Sequence, residues 1–102
     1  MPETLPAVLV PPAEPLDLKA ALREEAGRAP EETRRALAGG QRVGDYLWGA
    51  WASELPAGAS RSDVVGYAGT SWREVWLWVM GERTWQEAAT LVGGGVLRRI
   101  RS

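Results

Sequence analysis

The fold is decided by residues 63–79, which read DVVGYAGTSWREVWLWV. This stretch predicts two short helices joined by a tight turn. Asp63 can open the first helix, and Gly69, which tolerates the positive φ of a tight turn, is expected to end it. Ser71 and Glu74 have the Ser-x-x-Glu spacing of a capping box, which predicts the start of the second helix. The sequence therefore predicts a helix-turn-helix unit.

The same stretch resembles the headpiece of the LacI-type bacterial repressors. The elements that recur in the same order are Asp63-Val64, Tyr67-Ala68-Gly69, Ser71, Val75 and Val79. The resemblance is confined to residues 63–79. It implies a protein that binds double-stranded DNA, with Trp72 and Arg73 as the base-contacting pair, whereas the arginine that the repressors carry four positions beyond the polar member of that pair is Leu77 here.

Length and composition limit the fold class. The chain has 102 residues, of which 45% are hydrophobic and 25% are charged, and six Trp accompany a complete lack of Phe. This composition is typical of one globular domain with a modest core. We expect an all-α protein, a small helical bundle over residues 16–102 with the helix-turn-helix-like unit at residues 60–81.

The first fifteen residues form a different kind of segment. Five of the seven Pro lie here, at positions 2, 6, 11, 12 and 15. Proline removes backbone donors and favours extended conformations, so residues 1–15 predict an extended arm. Its apolar part, Val8, Leu9 and Val10, is predicted to contact a partner or the domain itself, and a disordered tail is the alternative.

The remaining helices are predicted from apolar spacing and from breakers. We expect helices over residues 17–26, from Pro30 to Gly39-Gly40, over residues 42–55, and from Thr84 to the Gly93–Gly95 triplet. Both glycine runs are taken as helix stops. Two further spacings, Ser60-x-x-Asp63 and Thr84-x-x-Glu87, predict helix starts.

Missing residue types narrow the function. The chain has no Cys and no His, which excludes disulfides, Cys/His zinc sites, thiol nucleophiles and imidazole bases. The carboxylates have positions that caps or solvated helix faces explain. We therefore expect no catalytic residue, no bound metal and no cofactor. No run approaches the roughly 20 apolar residues of a membrane span, and no secretory start is present, so the sequence predicts a cytoplasmic protein without membrane contact.

Charge leaves the type of partner open. The formal net charge is −1, which does not favour phosphate binding by the chain as a whole. Arginines nevertheless cluster near the motif and at the C-terminus. The predicted DNA-binding set is Ser71, Trp72 and Arg73 in the major groove, with Arg61, Arg83, Arg98, Arg99 and Arg101 on phosphates. The alternative is that these arginines are solvated or cap helix ends.

The second helix of the unit permits two registers. The helix-turn-helix register turns Trp76, Leu77 and Met80 outwards and Trp78 inwards. Simple helical periodicity instead predicts one buried stripe, made of Trp72, Val75, Trp76, Val79 and Met80. Base edges are read by hydrogen bonds, yet Ser71 and Arg73 are the main outward residues that can make them.

Two functions therefore remain open. The first is a small DNA-binding protein, such as a bacterial or phage regulator or DNA-packaging factor. The second is a non-enzymatic interaction module, such as a phage virion connector component or an inhibitor of a host protein. In either case a homo-oligomer or a protein partner is expected through the Trp-rich surface and the arm. The predicted contact residues are Trp76, Leu77, Met80, Val8, Leu9 and Val10.

Overall fold

The computed structural model describes residues 8–26 and 32–101, with side chains for residues 8–25 and 38–100. These residues form a helical bundle, as predicted, and no strand occurs among them. The helices are α1 (Leu16–Ala26), α2 (Glu32–Trp51), α3 (Arg61–Thr70), α4 (Trp72–Val79) and α5 (Trp85–Arg101). Residues 1–7 of the predicted arm and the predicted helix start at Pro30 lie outside the described residues.

The predicted break at Gly39-Gly40 is wrong, because α2 continues through both glycines. A Cβ on Gly40 would lie 2.8 Å from the Gly69 Cα of α3, and one on Gly44 would lie 2.5 Å from the Val65 Cα. From the first contact to the second, the residue number rises in α2 and falls in α3. The two helices are therefore antiparallel, and their backbones nearly touch. Glycine is present here because a neighbouring helix needs the space, and that reason outweighs its low helix propensity.

The predicted stop at Gly93–Gly95 is also wrong, since α5 runs from Trp85 to Arg101. A Cβ on Gly93 would lie 3.2 Å from the Trp51 ring, and one on Gly95 would overlap the Tyr67 ring. Gly94 has no neighbouring atom within 4 Å of such a position. Two of the three glycines therefore make room for aromatic side chains of α2 and α3.

The turn between α3 and α4 differs from the predicted one. Helix α3 extends to Thr70, so Gly69 lies inside it, and the single residue Ser71 joins the two helices with φ −93° and ψ 17°. Among the described residues, positive φ occurs only at Gly58 and Gly81. The predicted glycine turn is therefore replaced by a one-residue corner that any L-residue can adopt.

Two of the three predicted helix starts carry their capping groups. The Ser60 N–H donates to the Asp63 carboxylate over 2.9 Å. At α5 the Glu87 N–H donates to the Thr84 hydroxyl over 3.1 Å, and the Thr84 N–H donates back to the Glu87 carboxylate over 3.2 Å. The predicted box at Ser71 is not formed, because the Ser71 side chain makes no cap hydrogen bond.

All five helices contribute side chains to one apolar core. The fully buried side chains of largest volume are Trp51, Trp78, Leu9, Leu47, Leu97, Val43, Val64, Val75, Val79, Val92 and Val96. No charged or polar residue of the described part is buried. The interior is therefore held together by apolar burial and aromatic contact, such as the Trp78 and Trp85 rings, whose centroids lie 4.7 Å apart.

Candidate interaction surfaces

The position of Trp72 decides how α4 can be used. Trp72 is only 4% exposed, and its ring fills the space that a side chain on Gly39 of α2 would need. The prediction that Trp72 faces outwards as a base-contacting residue is therefore wrong in this structure. The ring is held between α4 and α2 because both helices offer it apolar surface and Gly39 offers no Cβ.

Neither predicted register of α4 is fully correct. Trp72, Val75, Trp78 and Val79 are all buried, so the core face contains the Trp residue that each register had placed outside it. On the opposite side, Trp76 and Leu77 are half-buried and Met80 is 45% exposed. We call Arg73, Trp76, Leu77 and Met80 the outer face of α4. It combines three large apolar side chains with one cation.

Two of the predicted phosphate-binding arginines are engaged with carboxylates. The Arg61 guanidinium pairs with Asp45 of α2, and Arg83 pairs with Glu74 of α4 over 2.8 Å. The hydrogen bond from Arg61 holds the pKa of Asp45 below its ordinary value and that of Arg61 above its ordinary value. These ion pairs partly neutralise the positive charge that phosphate binding would use.

The C-terminal arginines lie beside α3. Arg98 donates to the Tyr67 hydroxyl over 3.4 Å, and the Arg99 guanidinium lies near Gly66, 3.9 Å from the position of a Cβ there. Both arginines are exposed. The Arg101 side chain lies outside the described side chains.

Arg73 is exposed as well, and it makes no ion pair with any residue in the described part of the chain. Ser71 is half-buried at the corner between α3 and α4.

The arm, which is described for residues 8–15, lies on the bundle. Leu9 is 1% exposed and belongs to the core, so of its two predicted contacts, a partner or the domain itself, the structure shows the contact with the domain. Its neighbours Val8 and Val10 remain 57% and 69% exposed. The alternation fits an extended segment, in which successive side chains point to opposite sides.

Sequence reasoning missed the aromatic residues that hold the arm. The Trp51 and Trp85 indoles donate to the carbonyls of Val10 and Pro12, each over 2.8 Å. The Tyr46 hydroxyl donates to the Ala13 carbonyl over 2.6 Å. The sequence does contain the aromatic hydrogen-bond donors and the proline-rich segment that accepts from them. This signal becomes specific only once the fold brings the aromatic rings together.

The described part of the chain has neither a cluster of metal-binding side chains nor a membrane-spanning helix. No group of three or more acidic residues there has the arrangement of a metal site. None of the described helices combines the length and the apolar character that crossing a membrane requires. Comparisons of the chain with protein-family models, with curated proteins and with solved structures found no match.

Proposed function

We propose that this protein is a non-enzymatic helical interaction module that binds a partner protein through the outer face of α4. The observation that carries the proposal is the exposure pattern of this helix. One side is buried in the core, while the other side still presents Trp76, Leu77 and Met80 around the exposed Arg73.

The residue types on this face suit protein binding. Trp, Met and Arg are enriched at the centres of protein interfaces, where large side chains become desolvated. Arg73, which lacks a carboxylate partner in the described part, favours a partner that supplies one. The chemistry therefore fits an amphipathic helix with an apolar stripe and an acidic residue at its edge.

Site-specific photocrosslinking followed by a titration tests this proposal. A photoreactive residue replaces Met80 in one version and Thr90, an exposed residue of α5, in a matched control version. A partner on the outer face should crosslink from position 80 and not from position 90 in native cells. The partner identified in the crosslinked product is then purified on its own and titrated against the wild-type chain.

The titration decides the outcome. Leu77→Asp should weaken binding of the purified partner at least about tenfold, because it introduces a charge into a desolvated contact. Thr90→Asp should leave the affinity unchanged. Equal crosslinking from both positions, or an affinity that Leu77→Asp does not alter, would rule out the outer face as the binding site.

DNA binding is the second candidate, and the exposed arginines favour it. Arg98 and Arg99 lie beside α3, and Arg73 lies in the first turn of α4, so both helices of the predicted motif have cations nearby. With Trp72 buried, contact with phosphates is better supported than base readout. This version of the function is a small DNA-binding protein with little sequence preference.

Fluorescence anisotropy with a labelled random-sequence duplex tests DNA binding. Titrations at roughly 50 and 200 mM salt separate phosphate contact from other contact, because counterion release makes phosphate binding fall steeply with salt. Arg98→Ala and Arg99→Ala together should weaken binding, whereas Arg42→Ala, which removes an exposed arginine paired with Glu25, should change it little. Absence of binding at the lower salt would eliminate this candidate.

A further inference from the structure

We propose that the surface beneath the arm is a recognition groove for a peptide of the pattern Leu-x-Pro-Pro-x-Glu, and that the same segment of a second copy of this chain can occupy it. In this structure the chain's own residues 9–14 fill the groove. The groove consists of four aromatic residues from three helices, Tyr46, Trp51, Trp78 and Trp85.

The hydrogen-bonding chemistry of groove and peptide is complementary. An indole N–H can donate but cannot accept, and all three tryptophans use this group towards the arm. The Tyr46 hydroxyl also donates here. The peptide offers acceptors in return, at the carbonyls of Val10, Pro12 and Ala13. Pro11 and Pro12 have no N–H, so this part of the peptide brings no backbone donor that the groove would leave unsatisfied.

Leu9 anchors one end of the peptide. Its side chain is 1% exposed, and its Cβ lies 3.3 Å from the position of a Cβ on Gly93 in α5. The Trp51 ring approaches the same glycine to 3.2 Å. The Leu9 pocket therefore exists because α5 has glycine at this point, and a charged side chain would be excluded from it.

Glu14 fixes the other end. Its carboxylate accepts from the Trp78 indole over 2.7 Å, and the same oxygen lies 3.7 Å from the Lys19 ammonium group. Trp78 is fully buried, and the Glu14 carboxylate is the acceptor that satisfies its indole N–H. An acid at this position of the peptide is thus part of the recognised pattern.

The arm contacts the groove through one continuous segment, and such a segment can be exchanged between two copies of the chain. All the contacts above involve residues 9–14, and none requires that these residues belong to the same molecule as the groove. A second copy carries the identical peptide, and exchange of identical elements costs little because each contact is replaced by its equivalent. Prolines at positions 11, 12 and 15 keep the arm extended, which lowers the entropy lost when it reaches another copy.

The first experiment asks whether the groove binds the peptide in trans. Full-length protein with Leu9→Asp, which weakens docking of its own arm, is titrated with a fluorescein-labelled peptide of residues 8–16, and binding is followed by anisotropy. Circular dichroism verifies that the variant remains helical. The expected result is binding at least about tenfold tighter than that of a control peptide with Leu9→Asp. Wild-type protein should bind the peptide more weakly, since its own arm competes.

A second variant keeps the test decisive if Leu9→Asp does not fold. Glu14→Ala alters a side chain that is 37% exposed, so it removes the Trp78 acceptor without placing a charge in the core. This variant should bind the labelled peptide more tightly than wild-type protein does. A folded variant that binds neither peptide, or that binds the wild-type and control peptides equally, would overturn the recognition groove.

The second experiment asks about the second copy. The chain has no Cys, so Ser53→Cys at an exposed position gives one labelling site, and donor-labelled and acceptor-labelled proteins are mixed. Energy transfer should rise with protein concentration and fall when unlabelled peptide is added. Glu14→Ala in both populations should reduce it. Absence of energy transfer at every concentration would overturn occupation by a second copy.

Discussion

Gly40 and Gly44 of α2 face the backbone of α3, whereas Gly93 and Gly95 of α5 face aromatic rings. In α2, Gly44 meets the Val65 Cα of α3. In α5, Gly95 meets the side chain of Tyr67 from the same helix α3. Both contacts are too close for a methyl group, but the neighbouring atoms differ in how far they can move. A helix backbone shifts only with its whole helix, while a half-buried ring can rotate away.

This difference predicts that identical substitutions have graded effects. A glycine against backbone should tolerate a methyl group least, and one against a ring should tolerate it better. Where a helical glycine has open space around it, substitution by alanine should stabilise the protein, because alanine has the higher helix propensity. The chain provides each case inside the same two helices, at Gly44, Gly95, Gly49 and Gly94.

The largest effect is expected for Gly44→Ala. Its Cβ would lie 2.5 Å from the Val65 Cα, so α2 and α3 would have to separate along their length. We expect a loss of about 3 kcal/mol in the free energy of unfolding, the upper part of the usual range for overpacking. Urea denaturation followed by circular dichroism measures it. A loss below about 1 kcal/mol would show that the two backbones are not in contact.

Gly95→Ala should cost less, about 1 to 2 kcal/mol, because the Tyr67 ring is half-buried and can move towards solvent. The double-mutant cycle with Tyr67→Leu identifies the cause. In the Tyr67→Leu background the ring is absent, so Gly95→Ala should become nearly neutral. An equal cost in both backgrounds would mean that another neighbour of Gly95 is responsible.

Gly94→Ala and Gly49→Ala should stabilise the protein. Neither position has a heavy atom within 4 Å of the new methyl group, beyond the helix's own nearby backbone. Each substitution should raise the free energy of unfolding by about 0.5 to 1 kcal/mol through helix propensity and reduced entropy of the unfolded chain. Thermal denaturation checks both, and destabilisation by either would show that its side of the helix is covered.

The same contrast explains which parts of the fold were predictable. The caps at Thr84 and Ser60 depend on residues three positions apart, so the sequence contains the signal for both, although the same spacing at Ser71 forms no box. The glycine runs do not by themselves contain the signal that decides whether a helix continues or ends. Whether Gly40 ends a helix or admits a neighbour depends on Gly69, which is distant in sequence, and propensity alone predicts the wrong result.

The candidate site shows this limit most clearly at α4. The helix-turn-helix register predicted Trp76, Leu77 and Met80 on the outer side of α4, and they lie there with partial exposure, whereas simple helical periodicity wrongly placed Trp76 and Met80 in the buried stripe. The helix-turn-helix register misplaced Trp72, because the burial of Trp72 depends on Gly39, in a helix that was expected to end at that position. The aromatic residues beneath the arm were missed for a related reason, since they come from α2, α4 and α5 and meet only in the folded bundle.

The smallest effect is expected where a signal is local, at the α5 cap. Glu87 is exposed, and its pKa lies below its ordinary value chiefly because the backbone N–H of Thr84 donates to the carboxylate, with the Thr84 hydroxyl second. A carboxylate whose pKa is lower in the folded state stabilises the fold above its unfolded pKa, about 4.3, and that contribution is lost as the pH falls through the folded value.

Melting temperatures of wild-type protein and Glu87→Gln between pH 7 and pH 3 test this linkage. The wild type should melt at a slightly higher temperature at pH 7, and the difference should shrink below about pH 4 as Glu87 becomes protonated in both states. Because solvent screens this exposed group, the shift should be far smaller than that of Gly44→Ala. A difference that stays constant down to pH 3 would show that the Glu87 charge does not contribute to the cap, and that the hydrogen bond alone holds the start of α5.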